Sequence, residues 1–380
     1  MTAPLAGVRV LELATYITGP FAGLLLADLG ADVVKIEPLS GDPFRASQQG
    51  GDSPRFQAFN RNKRSVALDL RSDDGRKALL RLVDDADVLV ENFRPGATER
   101  LGVDYAALSR RNPGLVYCSI TGMGDSGPLA SRPSYDAVGQ AMSGLMSMLV
   151  PDGDPSPVGP ALSDSLTGFV AAYGILAALQ ARTHTGAGQH VTTSMLQATM
   201  GFLVEPAVQY LATGKIPDAH ARAHDSQSYG FTCADGRALV IHLSSPQKFW
   251  DALLRATGRL DLADRPEFAT YSARVTRYDA IRAEFTGAFA QHGRDEWLDL
   301  LIENDVPCAP VLNLEEALHA PQAEHLGMLV EYDAAEGAPS RTVGRPVHLD
   351  HQPPYLPHPG IGQHTTDILR DLVAPISTDV

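Results

Sequence analysis

The stretch Pro157-Val-Gly-Pro-Ala-Leu-Ser-Asp-Ser-Leu-Thr-Gly168, followed by a small, apolar run to Thr185-Gly-Ala-Gly188, decides how this chain is interpreted. Its prolines and glycines predict a loop that delivers Asp164 to the start of a helix. Asp164 and the serines on either side of it are residue types that cap helix N-termini, and the glycines after Thr185 are typical of helix ends. The run between predicts one apolar stripe at helical spacing: Leu166, Phe169, Val170, Tyr173, Leu176 and Ala177.

A carboxylate at this position has two interpretations. As a cap, Asp164 accepts hydrogen bonds from free backbone N–H groups and holds the helix. As a nucleophile, it is kept ionised by the helix dipole and N–H donors and attacks an activated acyl group to form a mixed anhydride. The two roles are compatible, because a capping carboxylate can also react.

Composition limits the class of protein. A chain of 380 residues can bury a large core and form two domains, and 44% apolar with 20% charged residues is typical of soluble globular proteins. The net charge of −14 argues against a nucleic-acid partner. Three widely spaced cysteines indicate a reducing compartment and predict neither a disulfide framework nor a metal site.

The N-terminus and the longest uncharged run are the places where a targeting or membrane-spanning segment could lie. The first residues lack a basic region followed by an apolar run, so we expect no signal peptide. The run 165–181 is too short to span a membrane and predicts a buried core helix. We therefore expect a cytoplasmic protein with no membrane partner.

The N-terminal half alternates strands and helices. Strands predicted at Val8–Leu13 and Asp32–Glu37 flank a predicted helix, Phe21–Leu29, and such a unit indicates an α/β fold with a parallel sheet. Further strands are predicted at Ser65–Leu70, Asp87–Glu91, Leu115–Thr121 and His190–Ser194. Ligands bind beyond the carboxyl ends of such strands. The turn Asn92-Phe93-Arg94 is therefore equally a ligand-facing loop or an ordinary solvated one.

The composition turns polar and irregular after residue 213, which predicts a domain boundary. We expect the N-terminal part of a large domain at 1–213, a linker at 214–228 and a small domain at 229–318. A hairpin is predicted from Tyr229–Cys233 and Ala238–Leu243, with helices after it.

Motif phrases occur in order along nearly the whole chain. They are Gly19-Pro20, Ala27–Glu37, Gly41-Asp42, Asn60–Ser65, Val90–Gly96, Tyr135-Asp136 with Gln140-Ala141, Asp164-Ser165 with Thr167-Gly168, Thr185-Gly186 with Gly188-Gln189, and Ile302–Val311. One such phrase is weak, but the ordered set resembles the family III CoA-transferases, the group that includes formyl-CoA transferase and carnitine CoA-transferase.

The resemblance implies an architecture and a mechanism. The architecture is a Rossmann-like large domain, to which residues 319–380 return, with an inserted smaller α+β domain and an interlocked homodimer. In the mechanism Asp164 attacks a donor acyl-CoA, and CoA passes to a small carboxylic acid through an aspartyl-acyl anhydride and an aspartyl-CoA thioester. Acyl-CoA is then a substrate, with no permanently bound cofactor and no metal.

The resemblance also implies site residues. Tyr135 and Gln140 match positions that line the acyl pocket beside Asp164, where Tyr135 orients the acyl group or donates a hydrogen bond. Asn92, Phe93 and Arg100 match CoA-contacting positions.

An aromatic face can stack on adenine, and a guanidinium can bind phosphate. Arg71, Arg94 and Arg132 are therefore further candidates for CoA binding. Arg132 stands where the family has a CoA-contacting lysine before Tyr135.

Departures from the family pattern define the alternatives. An α-methylacyl-CoA racemase of the same fold needs a histidine where this chain has Tyr135 and a glutamate where it has Ser244 or Ser245, so racemisation is disfavoured. A non-catalytic acyl-CoA-binding protein, with Asp164 as a cap only, is the other alternative. Ile17 stands where formyl-CoA transferase has a glutamine. The glycine-rich loop of formyl-CoA transferase has no counterpart between Val240 and Trp250. We therefore expect an acyl group larger or less polar than formyl or oxalyl.

Overall fold

The computed structural model describes residues 2–46, 52–150, 156–244, 247–333 and 340–371. The strands are β1 (Arg9–Leu13), β2 (Asp32–Glu37), β3 (Lys63–Ala67), β4 (Val88–Glu91), β5 (Val116–Thr121), β6 (His190–Ser194), β7 (Ser228–Thr232), β8 (Ala238–His242), β9 (Cys308–Pro310), β10 (Leu329–Tyr332) and β11 (Ser340–Val343).

The α-helices are α1 (Thr18–Asp28), α2 (Pro54–Asn60), α3 (Asp73–Asp84), α4 (Ala97–Leu101), α5 (Tyr105–Arg111), α6 (Asp136–Ser143), α7 (Leu145–Leu149), α8 (Leu162–Thr185), α9 (Met195–Phe202), α10 (Val204–Thr213), α11 (Ala221–Ser226), α12 (Lys248–Thr257), α13 (Tyr271–Thr276), α14 (Tyr278–Phe289), α15 (Arg294–Glu303), α16 (Leu314–Leu318), α17 (Pro321–His325) and α18 (Thr365–Asp371).

The chain divides into two compact units. One comprises Met1–Met146, Pro155–Val208 and Gly327–Val380, and the other comprises Ser147–Asp154 and Gln209–Leu326. The stretch 214–228, predicted as a linker, contains the short helix α11. Alanines at 221 and 223 favour that helix.

The larger unit is built on a six-stranded sheet in the order β3-β2-β1-β4-β5-β6. Every neighbouring pair is parallel, which confirms the α/β prediction, and the order is that of a doubly wound Rossmann-type sheet. The strand order reverses between β1 and β4. Consecutive connections depart in opposite directions there, and a crevice opens beyond the carboxyl ends of these two strands.

Each face of the sheet has its own core, because successive strand residues point to opposite faces. Val10 and Val90 pack with α1 and α8 on one face, whereas Leu11 and Leu89 pack with α3 and α5 on the other. These strands are buried on both sides, as expected for a parallel sheet.

Helix α8 packs differently from its predicted stripe. The buried face consists of small and medium residues (Ser163, Thr167, Gly168, Ala171, Ala172, Ile175, Ala178 and Leu179). The aromatic positions of the stripe are exposed, with Phe169 at 46% and Tyr173 at 74%. Small residues occupy the buried face because α8 lies very close to α1. A Cβ atom at Gly168 would lie only 2.9 Å from the carbonyl oxygen of Thr18.

Helix α8 begins at Leu162 with Ala161 at the N-cap position, so the prediction that Asp164 or a flanking serine caps it is wrong. Helix α8 has 24 residues, more than the uncharged run. Among the described helices it is long and apolar enough to cross a membrane, judged by length and composition alone. Core helices can have the same length and composition, and α8 packs against the sheet.

Two helices end at residues that interrupt them. Gly144 ends α6 with φ of +88°, a left-handed conformation that glycine adopts without steric cost. Helices α9 and α10 are separated at Leu203, since the ring of Pro206 would clash with the carbonyl of Phe202 in a continuous helix.

The smaller unit contains the predicted hairpin. Strands β7 and β8 pair antiparallel, and β9 adds to β8. Their inner face packs with α12, α14 and α15 around Trp250, Phe285 and Phe289.

Buried charges connect β1, β2 and the first residue of β3. The Nζ atom of Lys35 lies 2.9 Å from a carboxylate oxygen of Glu12 and 2.9 Å from one of Asp42, and all three side chains are fully buried. Lys63 Nζ lies 2.7 Å from the second Glu12 oxygen. Burial lowers the pKa of Lys63 to about 8, against the opposing attraction of Glu12.

Substituting Lys35 with Met should destabilise the larger unit by about 3–5 kcal/mol, because Glu12 and Asp42 lose a buried cation. Hydrogen-exchange mass spectrometry of β1 and β2 peptides measures the opening free energy of this unit alone. Lys77→Met, which removes an exposed lysine, is the matched control and should change little. Equal protection of β1 and β2 in the Lys35 variant and the wild type would contradict a stabilising role for the network.

Candidate active site

A cleft of about 280 Å³ occupies the crevice where the strand order reverses. Its walls come from the loops after β1 and β4, the end of β5, the segment before α6, and the first turn of α8. Predicted site residues in its lining are Asn92, Phe93, Arg94, Arg132, Tyr135 and Asp164. The structure thus brings together residues as far apart in sequence as 92 and 164.

Asp164 is a half-buried carboxylate in the first turn of α8. Burial, and secondarily the negative charge of Asp136, raises the pKa of Asp164 to about 7. The expectation that the helix N-terminus holds this carboxylate fully ionised is therefore wrong. Desolvation and a like charge outweigh the helix dipole here.

Asp136 orients the first turn of α8 from the neighbouring helix α6. One of its carboxylate oxygens accepts the backbone N–H of Asp164 at 3.2 Å, and the other accepts Gln140 Nε2 at 2.6 Å. Gln140 is buried and does not line the cleft, so it contacts Asp136 rather than a bound acyl group. The N–H of Asp164 is occupied by Asp136 and is not directed at a substrate oxygen.

Two tyrosines, Tyr16 and Tyr135, form one wall of the cleft. The ring of Tyr16 packs edge-on against Tyr135, with centroids 6.0 Å apart, and against Phe44 at 5.2 Å. Tyr16 has φ of +66°, a left-handed conformation that is rare for a bulky residue. Such a conformation costs on the order of 1–3 kcal/mol and persists only where the surroundings hold it.

Asn92 fastens the β1 loop to the end of β4. Its Oδ1 accepts the N–H of Thr15 at 3.0 Å, and its Nδ2 donates to Thr15 O at 2.8 Å and Thr18 Oγ1 at 3.1 Å. The amide is thus engaged within the protein. Beside it, the N–H of Phe93 donates to Glu91 at 2.8 Å, and burial raises the pKa of that carboxyl to about 7.

A second cleft of about 560 Å³ adjoins the first beyond the ends of β1 to β4. The two clefts share Thr15 and Phe93 in their linings. Arg71 lines the second cleft, whereas Arg94 and Arg132 line the first. Arg100 is exposed on α4 and lines neither cleft.

Other basic residues of the segment after β2 serve the fold. Arg45 forms two hydrogen bonds of 2.7 Å with Glu37, and Arg61 pairs with Asp28 at 2.5 Å. Arg45 and Arg61 are thus paired within the fold, whereas Arg71, Arg94 and Arg132 line the clefts.

Two residues of the site were missed by sequence reasoning. Asp136 stands directly after Tyr135, and a second acidic residue near a proposed nucleophile was the available signal. No local pattern marks Tyr16, because its left-handed backbone is imposed by distant partners rather than by a turn sequence.

Comparison with known families decides the interpretation of this geometry. The family model for CoA-transferase family III matches residues 5–365. The chain belongs to this family. As a family III CoA-transferase, it is an enzyme that moves CoA between an acyl-CoA and a carboxylic acid.

Relatives align over most of their length. The succinate–glutarate CoA-transferase of Agrobacterium fabrum is 34% identical over 97% of this chain and 96% of its own. The acetyl-CoA:oxalate CoA-transferase of Acetobacter aceti is 38% identical over 86% of each chain. A crystal structure of a CaiB/BaiF family protein from Brucella suis matches with a TM-score of 0.87 and 33% identity, covering 98% of this chain and 100% of that one.

Replacing Asp136 with Asn should lower the pKa of Asp164 from about 7 towards its ordinary value, because one of the two causes of the shift is removed. Carbodiimide modifies protonated carboxyl groups, so the midpoint of Asp164 labelling against pH, followed by peptide mass spectrometry, should move to lower pH. Asp125→Asn, at an exposed carboxylate outside this cleft, is the control. An unchanged midpoint in the Asp136 variant would show that burial alone sets the pKa.

Proposed function

We propose that this family III CoA-transferase works by covalent catalysis on Asp164. The observation that carries the proposal is a half-buried carboxylate of raised pKa in the cleft where the strand order reverses. A pKa of about 7 leaves a substantial ionised fraction at neutral pH while making that carboxylate more basic, and therefore more nucleophilic, than an exposed one.

The proposed reaction has two halves. An Asp164 oxygen attacks the thioester carbonyl of the donor, the C–S bond breaks, and CoA leaves as the thiolate. The thiolate then attacks the Asp164 carbonyl of the anhydride, which releases the donor acid and leaves an aspartyl-CoA thioester. The acceptor carboxylate attacks that thioester to form a second anhydride, and CoA thiolate finally takes the acceptor acyl group and regenerates Asp164.

Asp136 favours this chemistry through charge. In the free enzyme a carboxylate oxygen of Asp136 accepts the backbone N–H of Asp164, and the negative charge of Asp136 raises the energy of ionised Asp164. Acylation converts Asp164 into a neutral anhydride and removes that repulsion. The same charge therefore favours the covalent state over the free carboxylate.

The two adjoining clefts supply a binding site for the whole of CoA. We propose that the thioester lies in the cleft with Asp164 and that the nucleotide end extends past Phe93 into the larger cleft beside Arg71. Arg94 and Arg132 would pair with phosphates, and an aromatic ring at the junction suits stacking. Asn92 would act by holding the β1 loop, and Arg100 is assigned to CoA by family resemblance only.

The acyl pocket favours a group less polar than formyl or oxalyl. Ile17, Ile120 and Met195 line the cleft with Asp164. We propose a small carboxylic acid with an alkyl portion as acceptor, as in the relative named for succinate and glutarate. An acceptor ranking led by oxalate would contradict this.

Further features of the family are proposed for this chain. Residues 229–318 would form an inserted α+β domain after a linker at 214–228, with 1–213 and 319–380 forming the large domain. The exposed apolar side chains Phe169 and Tyr173 on α8 support an interlocked homodimer, which sedimentation at twice the 40.6 kDa chain mass would establish. Three free cysteines support a cytoplasmic location, and the proposed reaction needs no bound cofactor or metal.

Asp164→Ala should lower the CoA-transfer rate by roughly 10³-fold or more, because the covalent intermediate cannot form. After incubation with a donor acyl-CoA and trapping with hydroxylamine, peptide mass spectrometry should detect a hydroxamate at residue 164 in the wild type but not in Asp164→Ala. In the control Asp125→Asn, Asp164 should be labelled as in the wild type. Unlabelled Asp164 in an active wild-type enzyme would rule out the anhydride route.

Arg71→Ala and Arg94→Ala should each raise the Kd for CoA by about 10-fold, since a charge-assisted phosphate contact contributes about 1.4 kcal/mol. Calorimetry with CoA and with pantetheine separates phosphate contacts from the rest, because pantetheine carries no phosphate. Pantetheine affinity should stay unchanged, as should CoA affinity in the control Arg255→Ala, at an exposed arginine on α12. Equal loss for both ligands would place these arginines away from the phosphates.

A further inference from the structure

We propose that Tyr16 is a catalytic residue whose phenol donates a hydrogen bond to the acyl carbonyl oxygen while Asp164 attacks the adjacent carbon. This inference rests on the covalent role of Asp164 proposed above. It extends that role by naming the group that meets the negative charge developing on oxygen, at a position to which neither the family pattern nor the relatives' names assign a function.

The cleft brings the two groups to one acyl substituent. Tyr16 and Asp164 both line a cleft of about 280 Å³, which is at the small end for a ligand site. A thioester carbonyl placed against Asp164 therefore lies within reach of the opposite walls. Tyr16 and Tyr135, with their rings edge-on at 6.0 Å, form one of those walls.

Two donors near the nucleophile are already engaged within the protein. The backbone N–H of Asp164 donates to Asp136 at 3.2 Å. The side-chain amide of Asn92 donates to Thr15 and Thr18. A substrate oxyanion consequently needs a donor from elsewhere in the lining, and phenol hydroxyls are suitable.

The backbone at Tyr16 is held on both sides. Asn92 fixes Thr15 through its N–H and its carbonyl, and the N–H of Tyr16 itself points to Asp42 at 3.5 Å. Asp42 is in turn ion-paired with buried Lys35. These contacts hold Tyr16 at φ of +66° and fix its ring against Phe44.

Such fixing is what an oxyanion donor requires, because a donor that is already oriented costs no reorganisation during the reaction. Tyr135 is less constrained, since its side chain is 60% exposed against 36% for Tyr16. Burial, together with the charge of the neighbouring Tyr135 phenol and a side-chain hydrogen bond to it, raises the pKa of Tyr16. Its hydroxyl therefore stays protonated at neutral pH and acts as a donor rather than a base.

The step balances without proton transfer. As the Asp164 oxygen bonds to the carbonyl carbon, the carbonyl π pair moves onto oxygen, where the Tyr16 O–H holds it by a hydrogen bond. Collapse restores the C=O bond, the C–S pair moves to sulfur, and CoA leaves as the thiolate. Tyr16 keeps its proton throughout.

The test is the single-turnover rate of Asp164 acylation in Tyr16→Phe, Tyr135→Phe and the control Tyr210→Phe, which alters an exposed tyrosine outside the cleft. The rate of acylation is measured from the release of free CoA and from the amount of hydroxylamine-trapped peptide. The Kd for CoA is measured for each variant. We expect Tyr16→Phe to slow acylation by roughly 10²-fold with unchanged CoA affinity. A smaller loss is expected for Tyr135→Phe and none for Tyr210→Phe.

The outcomes separate this inference from the function it rests on. Absence of an Asp164 adduct in the active wild type overturns the covalent mechanism and the Tyr16 role together. Normal labelling in the wild type with an equal acylation rate in Tyr16→Phe overturns only the Tyr16 role. Two further outcomes would mark Tyr16 as structural and overturn its catalytic role. In one, the loss in Tyr16→Phe appears wholly as weaker CoA binding. In the other, Tyr16→Asn, whose side chain tolerates left-handed φ, acylates Asp164 at the wild-type rate.

Discussion

The buried contact of Lys35 with Glu12 and Asp42 is the constraint on which the rest of the site depends. It joins the carboxyl ends of β1 and β2 to the loop that begins at Asp42. Although burial lowers it, the two carboxylates leave the pKa of Lys35 raised, so the cation persists in the core. Burying charges is unfavourable unless their partners are fixed, and here one partner, Asp42, also accepts the N–H of Tyr16, which lines the cleft. Gly23 allows the arrangement, since a Cβ there would meet Glu12 at 2.0 Å.

A second constraint is the proximity of two carboxylates at the start of α8. A lone aspartate at a helix N-terminus is stabilised as an anion and is correspondingly a weak nucleophile. Partial burial and the facing charge of Asp136 reverse that effect at Asp164. The first turn still forms, because Asp136 takes over the N–H that a local cap would have satisfied. Asp136 therefore both supports the first turn of α8 and raises the pKa of Asp164.

These two features meet at the reversal of strand order between β1 and β4. The β1 loop is held by Asn92 from β4 and by Asp42 from the β2 side, so its backbone is determined by contacts with both halves of the sheet. Support from both sides holds Tyr16 in its left-handed conformation. The same reversal leaves room for a ligand, which is why Tyr16 and Asp164 share one cleft.

The parallel α/β architecture, the strand positions and the family could be predicted from the sequence, because hydrophobic periodicity and ordered motif phrases are local properties of the chain. The sequence also predicted that Asn92, Phe93 and Arg94 lie in a loop at the carboxyl end of a buried strand, where they line the cleft, since the ends of buried strands can be located from their pattern. The tertiary structure decided which face of α8 is buried, how basic Asp164 is, that Gln140 serves Asp136, and that Tyr16 lines the site. Each of these depends on what lies across a gap from the residue concerned. Burial, like-charge proximity and imposed backbone geometry arise only when distant segments pack together.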